Sequence, residues 1–361
     1  MKGLILSGGA GTRLRPITHT SAKQLVPIAN KPILFYGIED MAAAGIKEIG
    51  IIISPETGGD IRAAVGDGSQ FGVDITYIPQ TDPLGLAHCV LIAEDFLGDD
   101  DFVMYLGDNM LEQGLEEFVH RFEASRKSDN PATAQILLAR VEDPRSFGVA
   151  DLDDEGHVVH LVEKPEHPPS DLALVGVYLF DKTILDAVRA IEPSPRGELE
   201  ITDAIQWLVD QDFLVRHEVL VGWWIDTGKK DPLLECNRLV LDTLLSHNDG
   251  SVDEQSQVEG RVVIEAGAEI INSTVRGPAI IGKDTRIVDS HIGPFSSVSH
   301  DCEIINTEID NSVILAHSRI TDMTRLTESL VGRHAEVHKA PERPRATRLM
   351  LGDHSRVEIH D

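Results

Sequence analysis

The stretch GLILSGGAGTRLRP at residues 3–16 decides the fold of the first half of the chain, because a short apolar run leads directly into a glycine-rich loop. A run of this length is typical of a buried strand, and the loop then leaves the end of that strand. Backbone N–H groups of small residues can approach a polyphosphate closely at such a place. Arg13, Arg15 and Lys23 add positive charge beside the loop. The pattern predicts a binding site for a nucleoside triphosphate.

Two better-known glycine loops do not fit this stretch. A dinucleotide-binding loop anchored at Gly9 and Gly11 needs a third glycine where Leu14 stands. A P-loop closes with Gly-Lys-Ser/Thr, whereas Thr12 is followed by Arg13. The loop therefore belongs to neither class, and the remaining alternative is a turn with incidental arginines.

The first 110 residues alternate short apolar runs with segments of helical spacing. The apolar runs lie at residues 3–7, 49–54, 75–78 and 102–106. Such alternation predicts a parallel α/β sheet, in which ligands bind beyond the carboxyl ends of the strands. Gly8 and Asp108 fall at such ends. Residues 132–180 are richer in strand and turn patterns and predict a substrate lobe added to the nucleotide lobe.

Beyond residue 246 the apolar residues recur every five or six positions. They are Val258, Ile264, Ile270, Val275, Ile281, Ile287, Ile292, Val298, Ile304, Ile309, Ile314, Ile320, Leu326, Val331 and Val337. Three steps repeatedly sum to seventeen residues, which predicts a triangular coil with one inward apolar residue per side. This coil resembles the left-handed parallel β-helix of hexapeptide-repeat proteins. We therefore expect a catalytic domain at 1–246, a β-helix domain at 247–361, and an exposed loop at 338–348, where prolines and basic residues break the period.

Composition limits the class of protein. The chain has 361 residues, 42% of them hydrophobic, which is enough for two globular domains. Its formal charge of −28 excludes nucleic acid and anionic membranes as natural partners, so an anionic ligand must be gathered by local cations. Three widely spaced cysteines without a C-x-x-C pair indicate reduced core residues. No stretch has the pattern of a secretory signal or a membrane span, so we expect a soluble, cytoplasmic protein.

The two N-terminal motifs, GGAGTRLRP at residues 8–16 and SAKQLVP at residues 21–27, resemble the signatures of the sugar-1-phosphate nucleotidylyltransferases, and within them the glucose-1-phosphate thymidylyltransferases. Further matches follow in order: Gln80, GLA at 85–87, YLGDN at 105–109, FGV at 147–149, EKP at 163–165, RGELEITD at 196–203 and WWIDTG at 223–228. The resemblance implies transfer of a thymidylyl group from dTTP to glucose 1-phosphate. It also implies a Rossmann-like, mixed but mostly parallel sheet domain followed by the β-helix, as in the long forms found in antibiotic-sugar pathways.

Condensing a nucleoside triphosphate with a sugar phosphate depends mainly on charge and alignment, because the phosphate nucleophile is already anionic. Asp108 and Asp226 each follow an apolar segment that predicts a strand, so both carboxylates are expected at strand ends. An aspartate in that place is also common as a helix cap or turn former. The resemblance implies instead that the two carboxylates bind Mg²⁺, which prefers hard oxygen ligands.

The resemblance also implies the roles of the other site residues. Arg13 and Lys23 are expected to hold the triphosphate and to stabilise charge as pyrophosphate departs, and Lys164 to hold the sugar phosphate; these three are the catalytic cations. The nucleotide-binding residues are Gly8, Gly9, Gly11, Thr12, Arg13, Gln24, Gln80, Gly85 and Asp108. The residues expected around the sugar phosphate are Asn109, Gly148, Glu163, Lys164, Val175 and Trp224, with Glu163 accepting hydrogen bonds from sugar hydroxyls.

Base choice is assigned to two glutamines. The amides of Gln24 and Gln80 offer both a donor and an acceptor, which can match the N3–H and carbonyl edge of thymine or uracil. Without the resemblance, both would be interpreted as solvated surface glutamines. The Lys23-Gln24 pair and the GLA sequence at 85–87 are more similar to thymidylyl enzymes than to uridylyl, guanylyl or adenylyl relatives.

Three other functions stay open on the sequence alone. The chain could use UTP or several sugar phosphates, or it could be a non-catalytic nucleotide-sugar binding regulator, although such a binder has no need of both Asp108 and Asp226. It could also carry a second, acetyltransferase activity, since His291, His300 and His317 lie in a type of repeat that often supports acyl transfer. We favour an assembly role for the coil and therefore expect a homo-oligomer.

Overall fold

The computed structural model describes residues 1–9, 11–339 and 354–358. The chain falls into two compact units, one formed by Met1–Ala10 and Ile33–Ile225, the other by Gly11–Pro32 and Asp226–Asp361. The glycine-rich loop is therefore shared, because its first glycines end one segment of the first unit and the remainder begins the second unit.

The first unit contains a nine-stranded mixed sheet. Lys2–Ser7 lies between Glu48–Ile53 and Phe102–Leu106, and Asp74–Pro79 continues beside Glu48–Ile53. All of these pairs are parallel. Leu4, Ile5 and most of the strand Glu48–Ile53 are buried, as their uninterrupted apolar sequences predict for strands covered on both faces. The predicted parallel sheet is confirmed, with its four strands at the predicted positions.

Antiparallel strands extend this sheet beyond Phe102–Leu106. Leu172–Phe180 pairs with Phe102–Leu106 and also with Ala134–Arg140 and Gly148–Leu152. Val158–Glu163 pairs with Gly148–Leu152, and the last strand, Val215–Val219, lies parallel to Ala134–Arg140. The strand-rich segment predicted for residues 132–180 is thus confirmed, as a continuation of the same sheet.

Seven helices of the first unit are described, and they cover the sheet through their apolar faces. Ile201–Asp210 shows the principle, since Ile201, Ala204, Ile205 and Leu208 recur at helical spacing and are all buried. The helices are Ile33–Ala43, Gly58–Val65, Leu86–Ile92, Glu94–Leu97, Glu116–Arg126, Ile184–Ala190 and Ile201–Asp210. A short pair of strands, Asn109–Leu111 and the strand around Trp224, lies outside the large sheet.

The second unit combines two chain segments with the C-terminal coil. Its N-terminal segment forms three single 3₁₀ turns, Thr12–Leu14, Ile17–His19 and Lys23–Leu25, and a small hairpin of Pro27–Ile28 with Lys31–Pro32. The helix Lys230–Leu241 precedes the coil. Asn237 of this helix binds the N-terminal segment, because its Oδ1 accepts the backbone N–H of Ala29 at 2.9 Å.

The coil consists of three stacks of short parallel strands. The first stack is His247–Asn248, Val262–Ile264, Ala279–Ile281, Ser296–Val298, Val313–Ile314 and Leu330–Val331. The second is Ser251–Val252, Glu269–Ile271, Arg286–Val288, Glu303–Ile305, Arg319–Thr321 and Glu336–His338. The third is Gln257–Glu259, Thr274–Arg276, His291–Ile292 and Glu308–Ile309. The predicted β-helix is confirmed.

The predicted inward residues form the core of the coil from Ile264 to Ile320. Val258 differs from these, because the residue is 40% exposed. It lies in Gln257–Glu259, the first strand of its stack, and has a neighbouring strand on one side only. Val258 is paired in register with the buried Val275, so it lies on the inward side as predicted, but it is not covered because a terminal coil has no further coil beyond it. From residue 340 onward, the predicted loop at 338–348 lies outside the described residues.

Within the described part of the chain, no helix combines the length and apolar character needed to cross a bilayer.

Candidate active site

The carboxyl ends of the parallel strands meet at one edge of the sheet in the first unit. Gly8 follows Lys2–Ser7, Gln80 follows Asp74–Pro79, and Asp108 comes two residues after Phe102–Leu106. The side chains of Gln80 and Asp108 are inside the protein, each residue being only 8% exposed. The parallel strands thus bring together three residues that lie far apart in the sequence, as the sheet pattern predicts for Gly8 and Asp108.

Gln80 is held against the glycine-rich loop. Its Nε2 donates to the carbonyl oxygen of Gly85 at 3.4 Å and lies 3.1 Å from Nδ1 of His88. A Cβ atom on Gly8 would stand 2.8 Å from Oε1 of Gln80, so a side chain at this position would displace the amide. The interpretation of Gln80 as a solvated surface glutamine is therefore wrong.

Gly85 is required by the backbone itself. Its φ of 104° lies in a region that residues with a Cβ rarely adopt. A Cβ there would also stand 2.7 Å from the backbone nitrogen of Leu199 and closer still to its carbonyl oxygen. Leu199 in turn accepts the backbone N–H of Ala87 and donates to the carbonyl of Leu84. The glycine therefore fixes the turn that leads from Gln80 into the helix Leu86–Ile92.

Asp108 and Asn109 form a polar group between the sheet and Trp224. The Asn109 Nδ2 donates to Oδ1 of Asp108 at 3.3 Å. Its Oδ1 accepts the indole N–H of Trp224 at 2.5 Å and the backbone N–H of Gly176 at 3.3 Å. The Trp224 ring contacts Phe147 edge to face, with 5.1 Å between ring centroids. Asn109 and Trp224, which were predicted to lie near the sugar phosphate, are thus in direct contact.

Glu163 is the centre of a second polar group. Its Oε2 accepts a hydrogen bond from the Thr202 hydroxyl at 2.7 Å, and its Oε1 lies 3.0 Å from Nζ of Lys164 and 3.4 Å from Nη2 of Arg196. A Cβ on Gly148 would stand 2.7 Å from the Thr202 hydroxyl. The structure therefore brings together the predicted residues Gly148, Glu163 and Lys164, and adds Arg196 and Thr202 to them.

Lys164 has an unusual backbone. Its φ of 44° is in the left-handed region, which non-glycine residues seldom occupy. Its backbone N–H donates to the carbonyl of Phe147 at 2.9 Å, which ties the EKP turn to the FGV segment. Backbone outliers of this kind cluster at ligand sites, where surrounding contacts hold them in place. Val175, the remaining predicted residue of this group, is completely buried in Leu172–Phe180.

The helix that follows this group also carries an acid with an altered pKa. Burial raises the pKa of Asp203, and the neighbouring carboxylates of Glu200 and Glu163 raise it further. Arg196 opposes this effect, since its Nη2 also donates to Glu200 at 2.7 Å. The carboxylates of Glu163, Glu200 and Asp203 thus lie around the guanidinium of Arg196, near the start of the helix Ile201–Asp210.

The second unit contains the other part of the predicted site. Gly11, with a φ of 61°, precedes the 3₁₀ turn Thr12–Leu14, and the Nη2 of Arg13 lies 3.6 Å from Oδ2 of Asp226. The other carboxylate oxygen of Asp226 accepts the backbone N–H of Gly228 at 2.9 Å. The predicted transition-state cation and one of the two predicted metal ligands are therefore neighbours. Arg13 keeps about half of its side chain exposed, at 53%.

Gln24 lies in the turn Lys23–Leu25 and is only 1% exposed. Its Oε1 is buried and has no hydrogen-bond partner among the described residues. A buried amide oxygen without a partner is costly, so a ligand that donates a hydrogen bond to it would stabilise this arrangement. Gln24, like Gln80, is therefore not the solvated glutamine that the composition alone would suggest.

Ser7, at the end of Lys2–Ser7, was not identified from the sequence. Its hydroxyl is fully buried and has no hydrogen-bond partner within the described residues. A Cβ on Gly107 would stand 2.7 Å from this hydroxyl. The only sequence signal was its position directly before the glycine-rich loop. Arg196 and Thr202 did have a signal, the RGELEITD block, but nothing in that block indicates that they bind Glu163.

The predicted site residues divide between the units as follows. The first unit holds Gly8, Gly9, Gln80, Gly85, Asp108, Asn109, Gly148, Glu163, Lys164, Val175 and Trp224. The second unit holds Gly11, Thr12, Arg13, Lys23, Gln24 and Asp226. In the first set, the contacts described above join Gln80 with Gly8 and Gly85, Asn109 with Asp108 and Trp224, and Glu163 with Gly148 and Lys164. In the second set they join Arg13 with Asp226. That the two sets act on one ligand stays a prediction.

Comparison with known proteins places this arrangement in a family. The family model described as nucleotidyl transferase matches residues 2–243. A glucose-1-phosphate thymidylyltransferase from Streptomyces griseus is 56% identical over 359 residues, which cover 99% of both chains. A low-salt glycan biosynthesis nucleotidyltransferase from Haloferax volcanii is 46% identical over 362 residues, covering 99% of this chain and all of the relative.

A solved structure agrees with these relatives. It is the crystal structure, in complex with sucrose, of a Bacillus anthracis protein assigned as a glucose-1-phosphate thymidylyltransferase. That chain has 35% sequence identity and a TM-score of 0.63, and the match covers 68% of this chain and 98% of the other. The model match, the full-length relatives and the strand-end site agree, and the chain belongs to the nucleotidyl transferase family.

Proposed function

We propose that the chain transfers a thymidylyl group from dTTP to glucose 1-phosphate, giving dTDP-glucose and pyrophosphate. The observation that carries the proposal is the edge of the sheet where Gly8, Gln80 and Asp108 meet. This edge offers a loop for a polyphosphate, an amide for a base and a carboxylate for a cation. The name of the Streptomyces griseus relative supports the choice of both substrates.

The triphosphate would be held by the glycine-rich loop and its cations. Backbone N–H groups of Gly8, Gly9, Gly11 and Thr12 would bind phosphate oxygens, because glycine allows close approach. Arg13 and Lys23 would then neutralise charge on the triphosphate. A guanidinium can bridge two phosphate oxygens, whereas an ammonium acts as a point charge.

The base would be recognised by amides. The amide oxygens of Gln24 and Gln80 are candidate acceptors for the N3–H of thymine, and the amide nitrogen of Gln24 is a candidate donor to a carbonyl of the base. Gly85 shapes the turn that follows Gln80. Uracil presents the same edge, so UTP is the second candidate nucleotide. Cytosine presents an acceptor at N3 and is expected to be disfavoured.

The sugar phosphate would bind at the Glu163 group. Lys164 would pair with the phosphate, and Glu163 would accept hydrogen bonds from sugar hydroxyls. Asn109, Gly148, Val175 and Trp224 complete the proposed subsite. The ion pair between Lys164 and Glu163, at 3.0 Å, supports this assignment, because it holds both side chains in place before a ligand arrives.

The family generally uses a divalent metal ion. We propose Mg²⁺, held by Asp108 and Asp226. Both are carboxylates, the donor type that Mg²⁺ prefers, and the backbone N–H of Gly228 orients the Asp226 carboxylate. When bound, the ion would offset repulsion between the negatively charged reactants.

The chain's own residues would act mainly by positioning and by electrostatic stabilisation. A phosphate oxygen of glucose 1-phosphate attacks the α-phosphorus of dTTP in line, and the bond to the bridging oxygen breaks as pyrophosphate leaves. No proton needs to be removed from the nucleophile. Arg13 would stabilise the negative charge that spreads over the α-phosphate and the leaving group. Lys164 would hold the attacking phosphate in line.

Three further proposals concern the whole chain. Residues 1–246 would form the catalytic domain and residues 247–361 the β-helix domain. The β-helix would promote a homo-oligomer, because parallel coils present flat faces for self-association. Both substrates are small molecules, and we propose a cytoplasmic location.

A substrate matrix tests the proposed function. Pyrophosphate release would be measured with dTTP, UTP, dCTP and dATP against the 1-phosphates of glucose, galactose and mannose. We expect the highest kcat/KM with dTTP and glucose 1-phosphate, and loss of turnover in Arg13→Ala with little change in the KM for sugar phosphate. Higher kcat/KM with UTP would favour the second candidate. No turnover with any pair would leave only nucleotide-sugar binding.

A further inference from the structure

Imidazole and carboxylate groups gather at one corner of the β-helix, within the second unit. His300, Asp301 and His317 each offer a ligand atom, and these atoms all lie within 4.8 Å of one another. The Oδ2 of Asp301 is 2.8 Å from Nδ1 of His300 and 3.8 Å from Nδ1 of His317. All three side chains are about half exposed, so an ion in solvent can reach them.

The coil geometry creates this cluster. Successive coils of a parallel β-helix are stacked at strand spacing, about 4.8 Å apart, so a residue repeated once per coil forms a ladder. His317 and His334 stack with 4.7 Å between ring centroids, and His300 meets His317 edge to face at 5.1 Å. Asp301, His317 and His334 all occupy left-handed corner positions.

We propose that His300, Asp301 and His317 form a binding site for a divalent transition-metal ion such as Zn²⁺. Two imidazoles and one carboxylate, with water as a fourth ligand, are a donor set that suits Zn²⁺, whereas Mg²⁺ prefers oxygen ligands alone. Ligand atoms around a tetrahedral Zn²⁺ lie about 3.4 Å apart, so exposed side chains need only small rotations. The ion would link successive coils and stabilise the coil.

Zinc binding tests this proposal directly. The full-length protein would be treated with a chelator and titrated with Zn²⁺ in competition with a chromophoric chelator, with metal content measured after dialysis. His317→Asn is the main variant, because asparagine tolerates the left-handed backbone of residue 317. His300→Gln provides a second variant if the first does not fold. His291→Ala is the control, since this residue also lies in the coil but outside the cluster.

We expect one Zn²⁺ fewer, or at least tenfold weaker binding, in both cluster variants, and no change in the control. Zn²⁺ should also raise the unfolding temperature of the wild type and not that of His317→Asn. Equal stoichiometry and affinity in the wild type and both cluster variants would overturn the proposal. So would the absence of saturable Zn²⁺ binding by the wild type.

A second inference comes from the hydrogen bonds of Gln80 in the first unit, and it rests on the proposed function. The carbonyl of Gly85 can only accept, so the nitrogen of the Gln80 amide must face it, at 3.4 Å. The same nitrogen lies 3.1 Å from Nδ1 of His88, which therefore accepts and leaves the ring proton on Nε2. The Gln80 oxygen is directed to the other side, against Gly8.

We infer that His88 is a positioning residue for base choice. By accepting from the amide nitrogen, it directs the Gln80 oxygen toward the glycine-rich loop, where it can accept the N3–H of thymine or uracil. Cytosine has an acceptor at N3, so the same orientation rejects it. Without an acceptor at position 88, only the longer hydrogen bond to the Gly85 carbonyl, at 3.4 Å, opposes rotation of the amide.

Two substitutions separate this role from simple packing. His88→Asn retains an acceptor near the position of Nδ1, and His88→Leu fills similar space without one. The ratio of kcat/KM for dTTP to that for dCTP should fall about tenfold in His88→Leu and stay near the wild-type value in His88→Asn. The change should appear mainly in the KM values of the nucleotides.

The control experiment is the wild type with both nucleotides. An inactive wild type would contradict the proposed function, independently of His88. An active wild type whose dTTP to dCTP ratio is retained in His88→Leu would contradict the positioning role alone. Equal loss of the ratio in both variants would show that packing, and not the acceptor, is responsible.

Discussion

Gly228→Ala should weaken catalysis without unfolding the protein, because the added methyl group would enter the contact between Arg13 and Asp226. The new Cβ would stand 2.8 Å from Nη2 of Arg13 and 2.9 Å from Oδ1 of Asp226. Ordinary non-bonded separations are about 3.5 Å, so one or both groups must move by about 0.6 Å. Gly228 has no left-handed φ, and the substitution therefore adds no backbone strain.

The size of the effect follows from that displacement. A catalytic group misplaced by about 1 Å can lower the rate about a hundredfold, so a shift of about half that size suggests roughly a tenfold fall in kcat. Arg13 is half exposed and can swing outward, which should keep the loss of stability small, at about 1 kcal/mol or less.

The assay is pyrophosphate release under saturating substrates, with chemical unfolding measured on the same samples. Gly59→Ala is the matched control, because a Cβ at that helical position meets nothing within 4 Å. We expect the control to keep wild-type kcat. Wild-type kcat and KM in Gly228→Ala would refute the idea that the contact between Arg13 and Asp226 positions the reaction.

Other predictions concern the proposed metal ligands, the choice of nucleotide base and the raised pKa of Asp203. Asp108→Asn and Asp226→Asn should each lower turnover by orders of magnitude while the fold is retained, which a magnesium titration of pyrophosphate release would check. Gln24→Ala and Gln80→Ala should erode the preference for dTTP over dCTP by about 1 kcal/mol each, measured as a ratio of kcat/KM. Because the pKa of Asp203 is raised in the folded state, the wild type should lose stability as pH rises through that pKa. Asp203→Asn should therefore have the higher free energy of unfolding at neutral pH, and its advantage over the wild type should shrink as pH falls. Denaturant titrations at several pH values would measure this difference.

The coil shows how far a local repeat can predict structure. Its seventeen-residue apolar period predicted the inward residues from Ile264 to Ile320, and these are buried. The period carries this information because each coil contacts only its neighbours, so a local pattern determines a local contact. At Val258 the period placed the residue in register with the inward Val275 but did not predict its exposure, because burial there depends on a coil beyond the end of the stack.

The sequence predicted the strands of the first unit but fewer of its side-chain contacts. The apolar runs predicted the parallel strands, and strand ends then placed Gly8 and Asp108 at one edge, because the carboxyl ends of parallel strands lie at the same edge of a sheet. The contacts of Glu163 with Arg196 and Thr202 were not predicted. They join residues more than thirty positions apart through side chains whose directions depend on packing.

The sequence by itself determined the positions of the parallel strands along the chain, the glycine-rich loop, the β-helix and the residue types available for binding phosphate, base and metal. These features are local, because they depend on periodicity and on neighbours along the chain. Only the tertiary structure decided that Gln24 and Gln80 are buried, that His88 contacts Gln80, and that Arg13 lies beside Asp226. Such contacts join distant parts of the chain, and they exist only after the packing of the whole unit has fixed backbone position and side-chain direction.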